Sequence, residues 1–289
     1  MGRFAITVLA LVLLLIVPAF AEAGGNDITL QRFGSCSTTD SGACPEVEID
    51  ERGFRRLGRD LGLVLSPKLR ATAETLGPAG FSFQIDQSFS TVNANEDYWE
   101  RANIDEDPQG TLLTTQLHLR KGLPMSLEIG TMVTFLWQSD LIAIGGEFKW
   151  ALHEDTLWPV PDFMIRGFGN TVVGHPQLLL STVGFDAVLG VPIGVGNVVN
   201  ITPYAGYTFT VIFAGSQIID STPGDLLPPV VSNDPGSASQ PEFSFEVEGD
   251  VQHQGLLGLR VQAGIINTHF EVNVAGDVQT YGLTLGADF

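Results

Sequence analysis

The sequence predicts an all-β fold, a closed antiparallel transmembrane β-barrel of ten strands. The first observation is alternation: between residues 81 and 90, apolar side chains occupy four of the five odd positions and polar side chains occupy every even one. The second is composition, with 33 glycines, 44% hydrophobic residues and only 16% charged residues, against about 25% charged in an ordinary soluble domain. The third is that no apolar run after residue 23 approaches the length of a membrane helix. Hydrophobicity spread over alternate residues is typical of strands that face lipid on one side and a polar lumen on the other.

The N-terminus predicts export. Arg3 precedes an apolar stretch over residues 4–20, and small-x-small patterns end at Ala21 and Ala23. We interpret residues 1–23 as a signal peptide. The alternative, a membrane anchor, is disfavoured because the stretch is interrupted by Pro18 and is shorter than the roughly 20 residues that a spanning helix needs.

Ten alternating segments predict the barrel strands and define a barrel domain over residues 79–289. An even number of strands returns the C-terminus to the side where the first strand begins. A barrel of eight strands remains an alternative if residues 160–190 are misassigned, and one of twelve strands remains an alternative if the region after residue 220 contains a hairpin. The ten segments are 81–90, 113–120, 126–137, 142–153, 163–173, 182–189, 199–213, 243–265, 267–275 and 278–289.

The last strand carries a specific pattern. Tyr281, Leu283 and Leu285 alternate with polar or small residues, and the chain ends on Phe289. This strand resembles the C-terminal signal of bacterial outer-membrane β-barrel proteins. The resemblance implies location in the outer membrane, recognition by the barrel-assembly machinery, and contact with outer-membrane lipid and lipopolysaccharide. The alternative fold is an exported soluble β-sandwich that ends on phenylalanine by chance. For the oligomeric state, a monomer is favoured.

Residues 24–78 predict a short periplasmic segment before the barrel. Cys36 and Cys44 are expected to form a local disulfide in an oxidising compartment. Residues 50–65 predict an amphipathic helix that ends before Pro67. This helix is expected to lie at the periplasmic mouth or inside the barrel as a plug, with a plain linker as the alternative. Its apolar positions are Phe54, Leu57, Leu61 and Val64.

The inward positions of the strands predict a charged lumen. Five acids and four bases nearly balance there, with two histidines beside them. In a narrow barrel, opposed charges of this kind favour a paired network that fills the lumen. The alternative is a narrow or gated passage for small polar solutes. The predicted network comprises Asp86, His118, Arg120, Glu128, Glu147, Lys149, Arg166, Asp186, Arg260, His269 and Glu271.

Other functions are disfavoured by charge and motif. The net charge of −19 argues against nucleic acid as a partner, since binding phosphates needs a basic surface. No HExxH, GxSxG or phosphate-loop motif occurs, so we expect no enzyme, no cofactor and no metal site. The acidic outer loop at 91–110 is interpreted as solvated rather than as a cation site.

The outer loops give the alternative function, surface adhesion or binding. Residues 241–249 alternate apolar with acidic and are expected to pair with the chain near Ile218. Together they would form a protruding hairpin whose tip is 226–239. An exposed hairpin of this kind is a candidate binding surface.

Overall fold

The computed structural model describes residues 24–36, 47–154, 160–196, 198–220 and 242–289. The predicted signal peptide, Cys44 and the tip of the predicted outer hairpin lie outside the described residues, so the cleavage site and the disulfide stay predictions. No helix in the described part of the chain has the length and apolar character needed to cross a membrane.

The described elements are mostly strands. Two helices, α1 (Glu51–Leu65) and α2 (Asp97–Ala102), and a 3-10 turn (Gln31–Phe33) accompany them. Ten long strands form the barrel: β3 (Phe81–Thr91), β4 (Thr111–Leu123), β5 (Leu127–Leu136), β6 (Ile142–His153), β7 (Asp162–Val173), β8 (Leu178–Gly190), β10 (Val199–Ser216), β13 (Glu248–Ala263), β14 (Ile266–Ala275) and β15 (Val278–Asp288). The short strands are β1 (Gly34–Cys36), β2 (Val47–Ile49), β9 (Ile193–Val195), β11 (Ile219–Asp220) and β12 (Glu242–Phe243).

The sheet closes on itself. Each barrel strand pairs antiparallel with its neighbour in the chain, β10 pairs with β13, and the last strand β15 pairs with the first strand β3. The register at the closure sets Tyr281 opposite Phe89. The predicted closed barrel of ten strands is therefore confirmed, and the alternatives of eight and twelve strands are excluded.

The barrel wall is apolar outside and polar inside. Outward side chains such as Phe89, Phe148 and Phe270 are exposed, while inward side chains such as Gln84 and His118 are buried. The last-strand residues Tyr281, Leu283, Leu285 and Phe289 all lie on the exposed face. An apolar exterior on a closed barrel is the surface that lipid requires.

The two ends of the barrel differ. At the end where Phe81 and Phe289 meet, the connections are short: 124–126, 154–161, 191–198 and 264–265. We call this the terminal end. The opposite end, the loop end, carries the longest connections, 92–110 and 217–247. Since short turns of outer-membrane barrels face the periplasm and longer loops face outward, the two longest connections predict that the loop end is extracellular.

Helix α1 closes the loop end from inside. Asp50 caps it by accepting a hydrogen bond from the Gly53 N–H at 2.9 Å. Its apolar face is buried against the inward side chains of the strands at the loop end, and Leu57 and Leu61 are 0% exposed. Gly58 and Gly62 allow close approach to β10, because a Cβ on either would overlap Ala214 or Ile212.

The helix lies inside the barrel, which is one of the two positions expected for it. Residues 24–78 are expected on the periplasmic side, and residues 24–65 lie at the loop end, with Asn26 bonded to the turn after β5. Which side of the membrane the loop end faces stays a prediction. Only the stretch leading into Phe81 reaches the terminal end. The amphipathic pattern predicts that the helix has an apolar face. Because either mouth of a barrel could bury such a face, the pattern does not predict which end the helix occupies.

The predicted outer hairpin is partly present. β11 and β12 pair as expected, with Ile219 opposite Phe243. However, β13 begins only at Glu248, because Phe245 turns inward and its N–H donates to the Ser216 hydroxyl at 2.8 Å. Phe245 stacks on Phe54 of α1 with ring centroids 4.0 Å apart. This part of the loop therefore folds onto the helix and does not protrude.

Candidate functional site in the barrel lumen

A segment without regular secondary structure runs through the lumen. Residues 66–80 connect the end of α1 at the loop end to the start of β3 at the terminal end. The side-chain amide of Asn170 donates to the Leu65 carbonyl at 2.8 Å as the segment begins. Farther down, the Leu76 N–H donates to Glu128 at 2.7 Å. We call residues 66–80 the threaded segment.

Basic side chains of the wall hold the main chain of this segment. Arg166 donates to the carbonyls of Pro67 and Lys68 at 3.1 and 3.0 Å. Arg120 donates to the next two carbonyls, of residues 69 and 70, at 2.5 and 3.0 Å. Lys149 donates to the Glu74 carbonyl at 2.5 Å. Buried carbonyls need such donors because the lumen offers them no sheet partner.

Arg70 is the segment's own contribution to the network. Its side chain is 1% exposed and forms ion pairs with Asp86 at 2.6 Å and Glu271 at 2.7 Å. It also donates to the Ser88 hydroxyl at 2.7 Å. The guanidinium lies against Gly282, where a Cβ would overlap it. A buried arginine between two carboxylates bonds the segment to β3 and β14 and packs it against β15.

Glu147 lies at the centre of the wall network. Its carboxylate contacts Arg120 at 2.6 Å, Arg166 at 2.7 Å and the Nε2 atom of His118 at 3.0 Å. Arg166 reaches onward to Asp186 at 2.5 Å. The two arginines that hold the threaded segment are therefore themselves fixed by carboxylates.

The structure places all eleven residues of the predicted lumen network inside the barrel, and each is buried. Nine of them take part in ion pairs on the interior: Asp86, Arg120, Glu128, Glu147, Lys149, Arg166, Asp186, Arg260 and Glu271. His118 contacts Glu147, whereas His269 has no hydrogen-bond partner among the described residues. The strand alternation thus identified the wall side of the network.

The sequence reasoning missed the segment side of the network. Arg70, Lys68 and Glu74 lie in a stretch that lacks periodicity, so no pattern assigned them to the lumen. Tyr204 occupies an inward position of β10, and its hydroxyl donates to Glu271 at 2.8 Å. The sequence signal that could have identified them is the pair of basic residues Lys68 and Arg70, which lie close together just before the first strand.

The acidic outer loop is held against helix α1. Asp60 of α1 is buried and accepts hydrogen bonds from the Tyr98 hydroxyl at 2.8 Å and the Trp99 indole at 3.2 Å. Burial and the neighbouring Asp60 carboxylate raise the pKa of Tyr98 above its usual value. Glu96 and Glu106 pair with Arg56 and Arg32. Within the described ranges no group of three or more His, Cys, Asp or Glu side chains is arranged to hold a metal ion.

The closed barrel, its apolar exterior and its polar, filled lumen define an outer-membrane β-barrel protein, and the protein is located in the outer membrane. No family model matches the sequence, and no curated protein matches it either.

Solved structures of outer-membrane proteins give low-scoring matches. Ail, the attachment invasion locus protein of Yersinia pestis, is 11% identical with a TM-score of 0.26, covering 73% of this chain and 99% of Ail. The KdgM porin is 8% identical with a TM-score of 0.33, covering 71% and 99%. An outer membrane channel from Pseudomonas putida F1 is 8% identical with a TM-score of 0.35, covering 77% and 100%. The assignment to the class rests on the barrel itself.

Proposed function

We propose that this protein is a self-plugged outer-membrane barrel, closed to ions at rest by its own threaded segment. One observation carries the proposal: three wall bases, Arg120, Lys149 and Arg166, donate to five main-chain carbonyls of that segment. Helix α1 closes the loop end above it. The proposal includes no catalytic activity.

The surroundings of the barrel belong to the same proposal. Outer-membrane lipid and lipopolysaccharide would contact the apolar exterior, and the barrel-assembly machinery would read the last strand. The outward positions of Tyr281 and Phe289 support this reading because they are accessible from outside the barrel.

Conductance in planar bilayers tests the plug. We expect the wild type to be silent, because the segment and the helix fill the lumen. The double variant Arg120→Met/Arg166→Met removes the donors to four of the five carbonyls and should produce frequent openings. Heat-dependent gel mobility verifies that each variant is folded.

Arg55→Met is the matched control, since Arg55 forms an exposed pair with Glu248 outside the lumen. It should be as silent as the wild type. Steady current through the wild type, or silence of the folded double variant, would contradict the proposal.

A gated passage for small polar solutes is the second candidate. A cavity of about 350 Å³ at the terminal end favours it, because this cavity already reaches between the threaded segment and the wall. Brief wild-type openings that depend on solute or voltage, with silence otherwise, would favour a gate over a permanent plug.

Surface binding is the alternative at the loop end. Helix α1 displays Arg52, Arg55 and Arg56 on its exposed face, in a chain that is otherwise strongly acidic. A triple replacement of these arginines by Gln should abolish attachment to an anionic surface and leave the conductance unchanged. Unaltered attachment would exclude this role for the helix.

A further inference from the structure

The cavity at the terminal end is built from both the wall and the threaded segment. Thr72 and Thr75 of the segment form one side, while Ser82, Asn200 and His269 belong to the wall. Its volume of about 350 Å³ falls within the range of small-molecule sites, roughly 300–1,000 Å³. It lies at the periplasmic end, beside Phe289.

Several side chains that line this cavity carry buried polar atoms with no hydrogen-bond partner among the residues that the structure describes. These atoms are both ring nitrogens of His269, the Ser82 hydroxyl, Oδ1 of Asp288 and Oδ1 of Asn200. His269 is 1% exposed and Ser82 is 2% exposed. Buried polar atoms are nearly always paired, and leaving one unpaired destabilises the folded state. Their convergence on one cavity points to a ligand.

The charges around the cavity are already paired with one another. Arg260 contacts Glu74 at 2.8 Å and Asp288 at 2.7 Å. Lys149 lies 3.4 Å from Glu128. An anion would therefore meet Asp288 and Glu128, and a cation would meet the two bases. The remaining unpaired groups are complementary to an uncharged ligand that both donates and accepts hydrogen bonds.

We propose that this cavity binds a small neutral polyhydroxylated solute, of the size of a monosaccharide or cyclic polyol, from the periplasmic side. Hydroxyl groups can donate to Asp288 and Asn200, and a neutral His269 offers them one donor and one acceptor. The inference rests on the proposed plug, since Thr72 and Thr75 reach the cavity only because the segment is threaded. It adds a substrate class to the second candidate function.

Binding to the folded, detergent-solubilised full-length protein tests the site. The probes are glucose and myo-inositol, measured by saturation-transfer NMR and by calorimetry, with glucuronate as the charged comparison. We expect saturable binding of a neutral probe and weaker binding of glucuronate. Ser82→Ala should weaken the neutral probe about tenfold, because one hydrogen bond is lost. His269→Phe should weaken it at least as much.

Thr134→Val is the matched control. The Thr134 hydroxyl is also buried without a partner among the described residues, but Thr134 does not line this cavity. It should leave binding unchanged. If His269→Phe does not fold, Ser82→Ala decides alone.

Two results would overturn the inference. One is that no neutral probe binds saturably to the wild type, in which case the cavity holds water only. The other is that binding is the same in Ser82→Ala and in Thr134→Val. A wild type that conducts steadily but still binds the polyol would contradict the plug and leave the site standing, so the two failures are distinguishable.

Discussion

The loop-end half and the terminal half of the barrel interior are filled in different ways. At the loop end, α1 buries Leu57, Leu61 and aromatic rings such as Phe54 against the apolar inner ends of the strands. Toward the terminal end, the threaded segment has no apolar face of comparable size and is held by hydrogen bonds and ion pairs, with Arg70 at their centre. A helix can satisfy its own main chain and needs only an apolar surface. An irregular segment must instead borrow donors and acceptors from the wall.

This difference predicts that the polar half is the more sensitive to loss of one partner. Arg70→Met should lower the free energy of unfolding by about 3–5 kcal/mol, because Asp86 and Glu271 would stay buried without their cation. Urea titration followed by gel mobility measures it. Arg55→Met, in an exposed pair, should cost at most about 1 kcal/mol. Equal effects of the two substitutions would show that the network does not stabilise the segment.

The apolar half should respond to lost volume. Leu61→Ala should cost about 2–5 kcal/mol in the free energy of unfolding, since the side chain is 0% exposed. Arg56→Ala, on the exposed face of the same helix, serves as the control and should change stability little. If Leu61→Ala were neutral in the same titration, the helix would not be packed in the mouth as described.

Packing of the threaded segment against the barrel wall can be tested at a glycine. Gly282→Ala would place a methyl group on the Arg70 guanidinium and should cost about 1–3 kcal/mol in the free energy of unfolding. Gly255→Ala, where the added methyl group meets nothing within 4 Å, is the matched control. Thermal unfolding of both variants measures the difference, and an unchanged melting temperature for Gly282→Ala would place Arg70 elsewhere.

Much of this arrangement could be predicted from the sequence, because a strand shows its two faces in alternate residues. That alternation placed Arg120 and Arg166 inside and Phe270 outside. It could not predict which acid meets which base, since the pairs join strands whose relative register is set by the whole closed sheet. Arg70 was missed because an irregular segment has no period. The end of the barrel that α1 closes could not be predicted, because an apolar helix face fits either end.

The smallest expected effect on stability is at Glu154, which contacts Thr75 near the terminal end of the threaded segment. Partial burial of Glu154 raises its pKa, but hydrogen bonds from Ser126 and Thr75 outweigh this and hold the pKa below the usual 4.5. The unfolded chain therefore takes up the proton first as the pH falls. The stabilisation is present above about pH 4.5 and is lost as the pH drops through the folded-state pKa.

Glu154→Gln should remove this dependence and change the free energy of unfolding by less than about 1 kcal/mol, since the group is only partly buried and solvent screens it. Comparing unfolding of wild type and variant at about pH 7 and about pH 3 measures it. An identical pH dependence in both proteins would show that Glu154 does not anchor the segment.

In this account residues 24–65 lie on the outer side of the membrane, and residues 66–80 cross the lumen before the first strand. An epitope tag inserted after Gly25 and detected by antibody on intact cells tests it most directly. A tag in the turn between Gly264 and Ile265, at the terminal end, is the control. We predict that the first tag is detected on intact cells and the second only after the outer membrane is permeabilised. Detection of both tags only after permeabilisation would contradict the threaded plug.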